Sequence, residues 1–383
     1  MSDVVTVVIG GRRFAGWKSV HIEAGIEQVA RAFAMEVTET FPGSVSLDTF
    51  HAGDLVQVYI GADLVCTGYI TSTPVAYDGK AVKVQIQGKS KTVDLVDCCP
   101  PSAAVGKTTQ SDTWQGVKGK SGTAVEAPKQ AATSWKNQPT SVIMAALAAP
   151  YGVTVRDDVG IGEKLANHTV NPGETVMASI NRLITKDNLV VTDDAEGNLV
   201  ITDPGGAGLC SDALVLGKNV LSASAAFDAS KLFSDYVVLG QHKGTDEDFG
   251  ATAAQDKGVA KNPAVGRFRL KVLKDSGQSA NLTCRERAAF ERNYDQAKYW
   301  AVTYTVQGWR QSTGELWPLN AQVVVTDEVL GIQNQLYLIA KLTFDLSAGG
   351  MTTKIECCDS NGYKRGGQTS KSKSTGNSWQ GVK

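Results

Sequence analysis

The sequence lacks most of the features that announce a chemistry. Seven cysteines in 383 residues are too few for a disulfide scaffold, and the odd number leaves at least one thiol over, so reduced cysteines are expected. The adjacent pairs Cys98-Cys99 and Cys357-Cys358 have no CxxC spacing beside them. Neighbours on a strand point to opposite faces, which suits small buried side chains better than metal ligands. The four histidines, His21, His51, His168 and His242, are scattered, none at metal spacing from a second histidine or a carboxylate. No stretch approaches the roughly 20 apolar residues of a membrane span, and Met1-Ser2-Asp3-Val4 has neither the basic nor the apolar region of a secretory signal. No membrane insertion is expected. With 38 basic against 39 acidic residues, the chain offers no global attraction to nucleic acid or anionic lipid.

Catalytic patterns are equally scarce. No GxSxG occurs, and no cysteine has a recognisable nucleophile context. Gly106-Lys107-Thr108 ends like a P-loop, but Pro101 stands where the first glycine belongs and no strand leads in. Carboxylates need more care, because a cell-wall hydrolase needs just two of them brought together by the fold. Asp193, Asp194 and Glu196 sit in a hairpin turn and Asp246 to Asp248 in a loop, where solvated turn acids are the competing reading. No catalytic, cofactor-binding or metal residue is assigned, and no cofactor is expected.

What is present is strand pattern. Val4 to Ile9 ends at Gly10-Gly11; Leu55 to Ile60 turns at Gly61-Ala62-Asp63 and returns as Leu64 to Ile70; Val82 to Gln87 alternates cleanly. Five or six short strands within residues 1–100 predict a small antiparallel barrel or sandwich. The order recurs near the carboxyl end. Val20 leads through a helical turn at Gly25 to Ala30 into Phe33 to Val37, as Ala223 leads through Ala229 to Leu232 into Tyr236 to Leu239. Leu55 to Val58, Leu64 to Ile70 and Val82 to Gln87 find counterparts in Ala321 to Val325, Leu336 to Leu342 and Met351 to Cys357. Two related barrels in one chain are one reading; chance likeness between hairpins is the other.

The pattern predicts a β-rich α+β multidomain chain in which two similar small antiparallel β-barrels carry an inserted small α/β domain and a further strand-helix insertion. Residues 1–100 form the first barrel, and 207–240 with 301–360 the second. Residues 140–206 form the α/β domain, with a short helix from Thr140 to Pro150. A second helix there opens at Asn171 as N-cap, with Pro172 at N1, Glu174 at N3 and Val176, Ile180, Leu183 and Ile184 as its apolar stripe. Residues 241–300 hold a polar loop to Asn262, a strand from Arg267 to Val272 and a helix from Cys284 to Trp300. Residues 101–139 and 361–383 are Gly-, Ser- and Lys-rich and are expected to be flexible. The basic tail, with no acid after Asp359, reads either as a solvated tail or as a weak polyanion contact.

Both flexible segments hold one pentapeptide. Trp114-Gln115-Gly116-Val117-Lys118 recurs as Trp379-Gln380-Gly381-Val382-Lys383. A tryptophan in a polar tail is costly to leave in water, so the repeat is a candidate docking motif; local duplication without function is the alternative.

Several of these residues carry a family resemblance. Val4 to Trp17, Ser19-Val20, Phe33 and Gly53-Asp54-Leu55-Val56, then Arg287-Ala288, Glu291-Arg292, Val306-Gln307-Gly308-Trp309-Arg310, Gly314 to Asn320 and Val323 to Asp327 resemble the baseplate hub proteins of Mu-like contractile-tailed phages. That tail-protein family is related to the hub part of type VI secretion spike proteins. The resemblance spans nearly the whole chain except the two flexible segments. It implies a structural protein and not an enzyme: a homotrimer whose six barrels form a pseudo-sixfold ring, resolving a symmetry mismatch that one barrel per chain cannot. The ring joins a hexameric tail tube protein to a trimeric central spike protein, contacts other baseplate proteins, and leaves a channel for DNA without sequence-specific binding. The place implied is the virion tail baseplate, with synthesis and assembly in the bacterial host cytoplasm; a related secretion or phage-derived contractile apparatus is the neighbouring possibility.

Overall fold

The computed structural model describes residues 3–40, 50–78, 81–101, 132–160, 162, 164–187, 189–241, 256–278 and 281–364. The amino-terminal module contains β1 (Val5–Ile9), β2 (Arg12–Phe14), β3 (Ser19–Gly25), β4 (Gln28–Thr40), β5 (Leu55–Ile60), β6 (Asp63–Ser72), β7 (Val75–Tyr77) and β8 (Ala81–Ser90). Alternation does what it should: Val56, Val58 and Ile60 on β5 are fully buried while the residues between them are not. Gly10 and Gly11 take φ of 54° and 80° to turn β1 into β2, a conformation that glycine adopts without steric cost.

An α/β domain follows, with α1 (Val93–Asp97), β9 (Ser134–Pro139), α2 (Thr140–Ala148), β10 (Val155–Asp157), β11 (Lys164–Thr169), α3 (Val176–Asp187), β12 (Val190–Asp193) and β13 (Leu199–Thr202). Its core takes Val176, Ile180 and Leu183 from one stripe of α3, with Ile143, Met144 and Leu147 from α2. The start of α3 corrects the expected cap. Asn171 and Glu174 instead close a turn around Gly173 at φ 80°, and Thr175 Oγ1 accepts the Ala178 amide at 3.1 Å.

The remaining elements are β14 (Leu214–Val215), β15 (Val220–Ala225), β16 (Asp235–Gln241), β17 (Asp256–Lys261), β18 (Leu270–Gln278), α4 (Asn281–Tyr299), β19 (Val302–Gln307), β20 (Gln322–Asp327), β21 (Ile332–Ser347) and β22 (Gly350–Cys358). Most strands join one 14-stranded sheet, ordered β15-β19-β22-β21-β3-β4-β8-β6-β5-β1-β2, with β20 on β21, β14 on β20 and β7 on β8. One apolar cluster runs through both halves, from Val7, Met35 and Val58 to Trp309, Val323 and Ile355.

Within that sheet the order β3-β4-β8-β6-β5 is matched by β15-β19-β22-β21-β20, every neighbour antiparallel in both sets. Over the central part of each ladder the registers agree. Val84 opposes Val37 as Thr353 opposes Val306, and Ile22 opposes Phe33 as Ala225 opposes Val302. The β6–β8 ladder slips between Ile70 and Ser72, and the β21–β22 ladder between Ile339 and Lys341, so both carry a bulge at the same place.

Several expected boundaries change. Gly25 to Ala30 is not a helical turn: β3 runs to Gly25, and β4 begins at Gln28. β16 leaves the proposed 207–240 segment of the second module, because it pairs with β17 and β18 in a separate sheet covered by α4. The counterpart of Phe33 in the second module is therefore Val302 on β19, not Tyr236. Residues 256–261 belong to a strand rather than to a polar loop. The segment 101–139 gives up β9, where Trp135 packs on the α/β core and His168. The tail 361–383 gives up Tyr363, which is buried against Tyr294. The adjacent pair Cys357-Cys358 divides as strand geometry requires, Cys357 into the main cluster and Cys358 into a separate one under α4.

Candidate functional site

The two modules meet where β21 pairs with β3, Phe344 opposite Ile22 and Asp345 opposite His21. Ile22 and Phe344 point into the shared core. On the other face the seam is polar. His21 Nδ1 lies 2.7 Å from Asp345 Oδ1, Lys341 Nζ 3.0 Å from Glu23, and Lys354 Nζ 2.9 Å from Asp345 Oδ2. Burial alone would raise the Asp345 carboxyl, but Lys354 and His21 override it and hold the group below its ordinary value. The bulge also works here: the Ala340 carbonyl accepts the Ile26 amide at 2.9 Å, extending the ladder past the end of β3.

A clasp at the amino-terminal edge repeats the connection. Arg310 reaches Asp3 at 2.6 Å, Asp63 at 2.7 Å, and the carbonyls of Ile60 and Gly314 at 3.1 and 2.8 Å. Its neighbour Trp309 is fully buried and donates from Nε1 to the carbonyls of Asp345 and Thr352, both at 3.1 Å. One dipeptide thus fills the second module and grips the first.

The α/β domain is fixed to the first module by a buried ion pair. Arg31 donates from its amide and Nε to Asp193 at 2.9 and 3.1 Å, and Ser90 Oγ donates at 2.5 Å. Burial pushes the Asp193 carboxyl up, against the pull of Arg31 and Ser90. The insertion docks similarly: Glu27, in the β3–β4 turn, accepts from Lys298 at 2.7 Å and from Tyr363 at 2.8 Å.

These placements decide among the sequence candidates. Asp193 is not a solvated turn acid; it is a buried partner of Arg31. Asp194 holds Arg156 at 3.0 Å and accepts the Asn198 amide at 2.8 Å, while Glu196 is exposed. Arg156 also pairs with Asp158 at 2.9 Å, so the cavity of about 180 Å³ that Asp193, Asp194 and Asp158 line is held by ion pairs. Asp246 to Asp248, and the motif residues Trp114, Gln115, Gly116, Val117, Lys118, Trp379, Gln380, Gly381, Val382 and Lys383, lie outside the described residues. Among the described residues no cluster of three metal-binding side chains forms, and no helix is long and apolar enough to cross a membrane. Arg31, Glu27 and the Arg310 partners were not foreseen, since pairs so far apart in sequence leave no local signal.

Comparison with known proteins completes the site. Residues 4–90 match the family model of the Mu phage baseplate assembly protein GpP-like N-terminal domain, 125–203 the second domain of baseplate hub protein gp44-like, and 280–365 the fourth domain of Mu phage baseplate assembly protein GpP. Baseplate hub protein gp44 of Escherichia phage Mu is 29% identical over 372 residues, 95% of this chain and 89% of that one. The crystal structure of the prophage MuSo2 43 kDa tail protein from Shewanella oneidensis superimposes with a TM-score of 0.78 at 25% identity, covering 94% of this chain and 99% of that one. A tail protein from Neisseria meningitidis MC58 shares the fold with a TM-score of 0.73 at 20% identity, over 95% and 98% of the two chains. With three domain models matched in chain order, and both the relative and the fold matched almost end to end, the chain is similar over nearly its whole length to the Mu-like phage baseplate hub proteins.

Proposed function

We propose that this chain is a structural hub of a phage tail baseplate, building a platform rather than catalysing a reaction. The observation that carries the reading is the doubled five-strand order, continuous across the β3–β21 seam. A chain that supplies two equivalent β modules doubles the rotational order of any ring it builds, so three copies present six modules. Such a ring fits a hexameric tube on one side and a trimeric spike on the other, with a channel between for DNA. The polar face at the seam carries acids and bases in close pairs, which gives a passing polyanion little to bind. Each half of the sheet serves as one barrel-like module, and the α/β domain and the α4 insertion are attachments to them.

The test is assembly. Light scattering and native mass spectrometry of the purified chain should find trimers, growing with concentration, and added tube protein should co-sediment with them. A chain that remains monomeric or dimeric at high concentration would count against the hub. Peptidoglycan zymography should show no clearing; lysis abolished by replacing Asp193 or Asp194 would overturn the structural reading.

A further inference from the structure

The seam inside the chain has an unmade counterpart. Residues 341–346 of β21 pair with 20–25 of β3. By the register match described above, Phe344, Asp345 and Leu346 correspond to Val75, Ala76 and Tyr77 of β7, since Thr353, Thr352 and Met351 oppose the first set as Val84, Lys83 and Val82 oppose the second. On the other strand, Val20, His21 and Ile22 correspond to Ala223, Ser224 and Ala225 of β15. Among the described residues both of these edges are open. β7 pairs with β8 alone, and β15 pairs with β19, apart from one bridge between Val220 and Leu216.

Exposure marks the same positions. Val20 and Ile22, covered by β21, are each 2% exposed, whereas Ala223 is exposed and Ala225 half-buried. Phe344 belongs to the shared core, yet its counterpart Val75 is 42% exposed and the next residue on that face, Tyr77, is 81% exposed. Apolar side chains therefore stand at core positions of a ladder that is missing its last strand. An uncovered edge of this kind is a template for pairing with another chain.

We propose that the two open edges meet between copies of this chain. β7 of one protomer adds antiparallel to β15 of the next, with Val75 opposite Ala225, Ala76 opposite Ser224 and Tyr77 opposite Ala223. Pro74 does not obstruct this, because its carbonyl accepts the Gln85 amide of β8 at 2.9 Å; its missing N–H lies on that inner side, and Val75 and Tyr77 present their amides outward. The small side chains of β15 leave room for the Tyr77 ring. The contact is head to tail, so each copy gives one edge and receives one, and it closes into a ring when the rotation permits. The seam rests on the hub reading for that closure.

Cysteine cross-linking tests the register. In a Cys99→Ser background, which removes the exposed native thiol, a mixture of Ala76→Cys and Ser224→Cys chains should oxidise to covalent dimers. The double variant should close into a covalent oligomer of the mass seen by light scattering. The off-register pair Ala76→Cys with Ser222→Cys should cross-link about ten-fold less, because a disulfide tolerates only a narrow Cα separation. An oligomer of unchanged mass without Ala76–Ser224 cross-links overturns this seam and leaves the hub reading standing. A chain that is monomeric at every concentration overturns both.

Discussion

Single residues hold the parts together through charges placed where water is scarce. Asp193 has no side-chain exposure and its guanidinium partner Arg31 little. Removing one member strands the other, so Arg31→Met should cost about 3–5 kcal/mol in urea unfolding. Arg31→Met with Asp193→Leu should lose less than the single variant, since neither charge is then left uncompensated. Asp345 sets a pH dependence at the seam. Because its carboxyl is held below the ordinary range by Lys354 and His21 despite its burial, its stabilisation is complete above about pH 4 and is lost as pH falls through the lowered value. Thermal midpoints between pH 7 and pH 3 should fall less steeply for Asp345→Asn than for the parent. None of these pairs was readable beforehand, because an acid at 193 and a base at 31 become neighbours only through tertiary folding; the turn chemistry of Asp194, by contrast, was local and legible.

At the level of elements, the two halves solve one packing problem differently. Phe33 opposes Gly88 in the first, and a Cβ on Gly88 would stand 2.1 Å from the Phe33 ring and 2.5 Å from the Tyr69 carbonyl. The second half places Val302 opposite Cys357. Gly88→Cys should therefore destabilise the fold by about 1–3 kcal/mol or more through overpacking. Adding Phe33→Val should recover part of that loss, as read from urea midpoints. Alternating strands and the apolar stripe of α3 were visible in the sequence because their periods are short. The match of Phe33 to Tyr236 failed because equal spacing assumes equal loops. The second half carries residues 226–301 where the first has only residues 23–32, and long surface insertions cost little closure entropy.

For the whole molecule, the one 14-stranded sheet and the core that the two modules share predict that these modules fold as one cooperative unit. Residues 1–90 expressed alone should lack stable structure, since the outer edge of β3 and the faces of Val20 and Ile22 depend on β21. Mixing them with a 207–364 fragment should restore the near-ultraviolet signal of packed aromatics; an independently folded 1–90 fragment would show that the modules are self-sufficient. The doubling of the strand order was legible, but the seam was not, because strand order is written in each module while their junction depends on which edges remain free. The placement of the insertion has its own consequence. Only one module in each chain bears the β16–β18 sheet and α4, so a closed collar of such chains has two kinds of notch in alternation, bare and crowned. A plug with half as many lobes as the collar has notches would find one lock per lobe and could seat in a single phase.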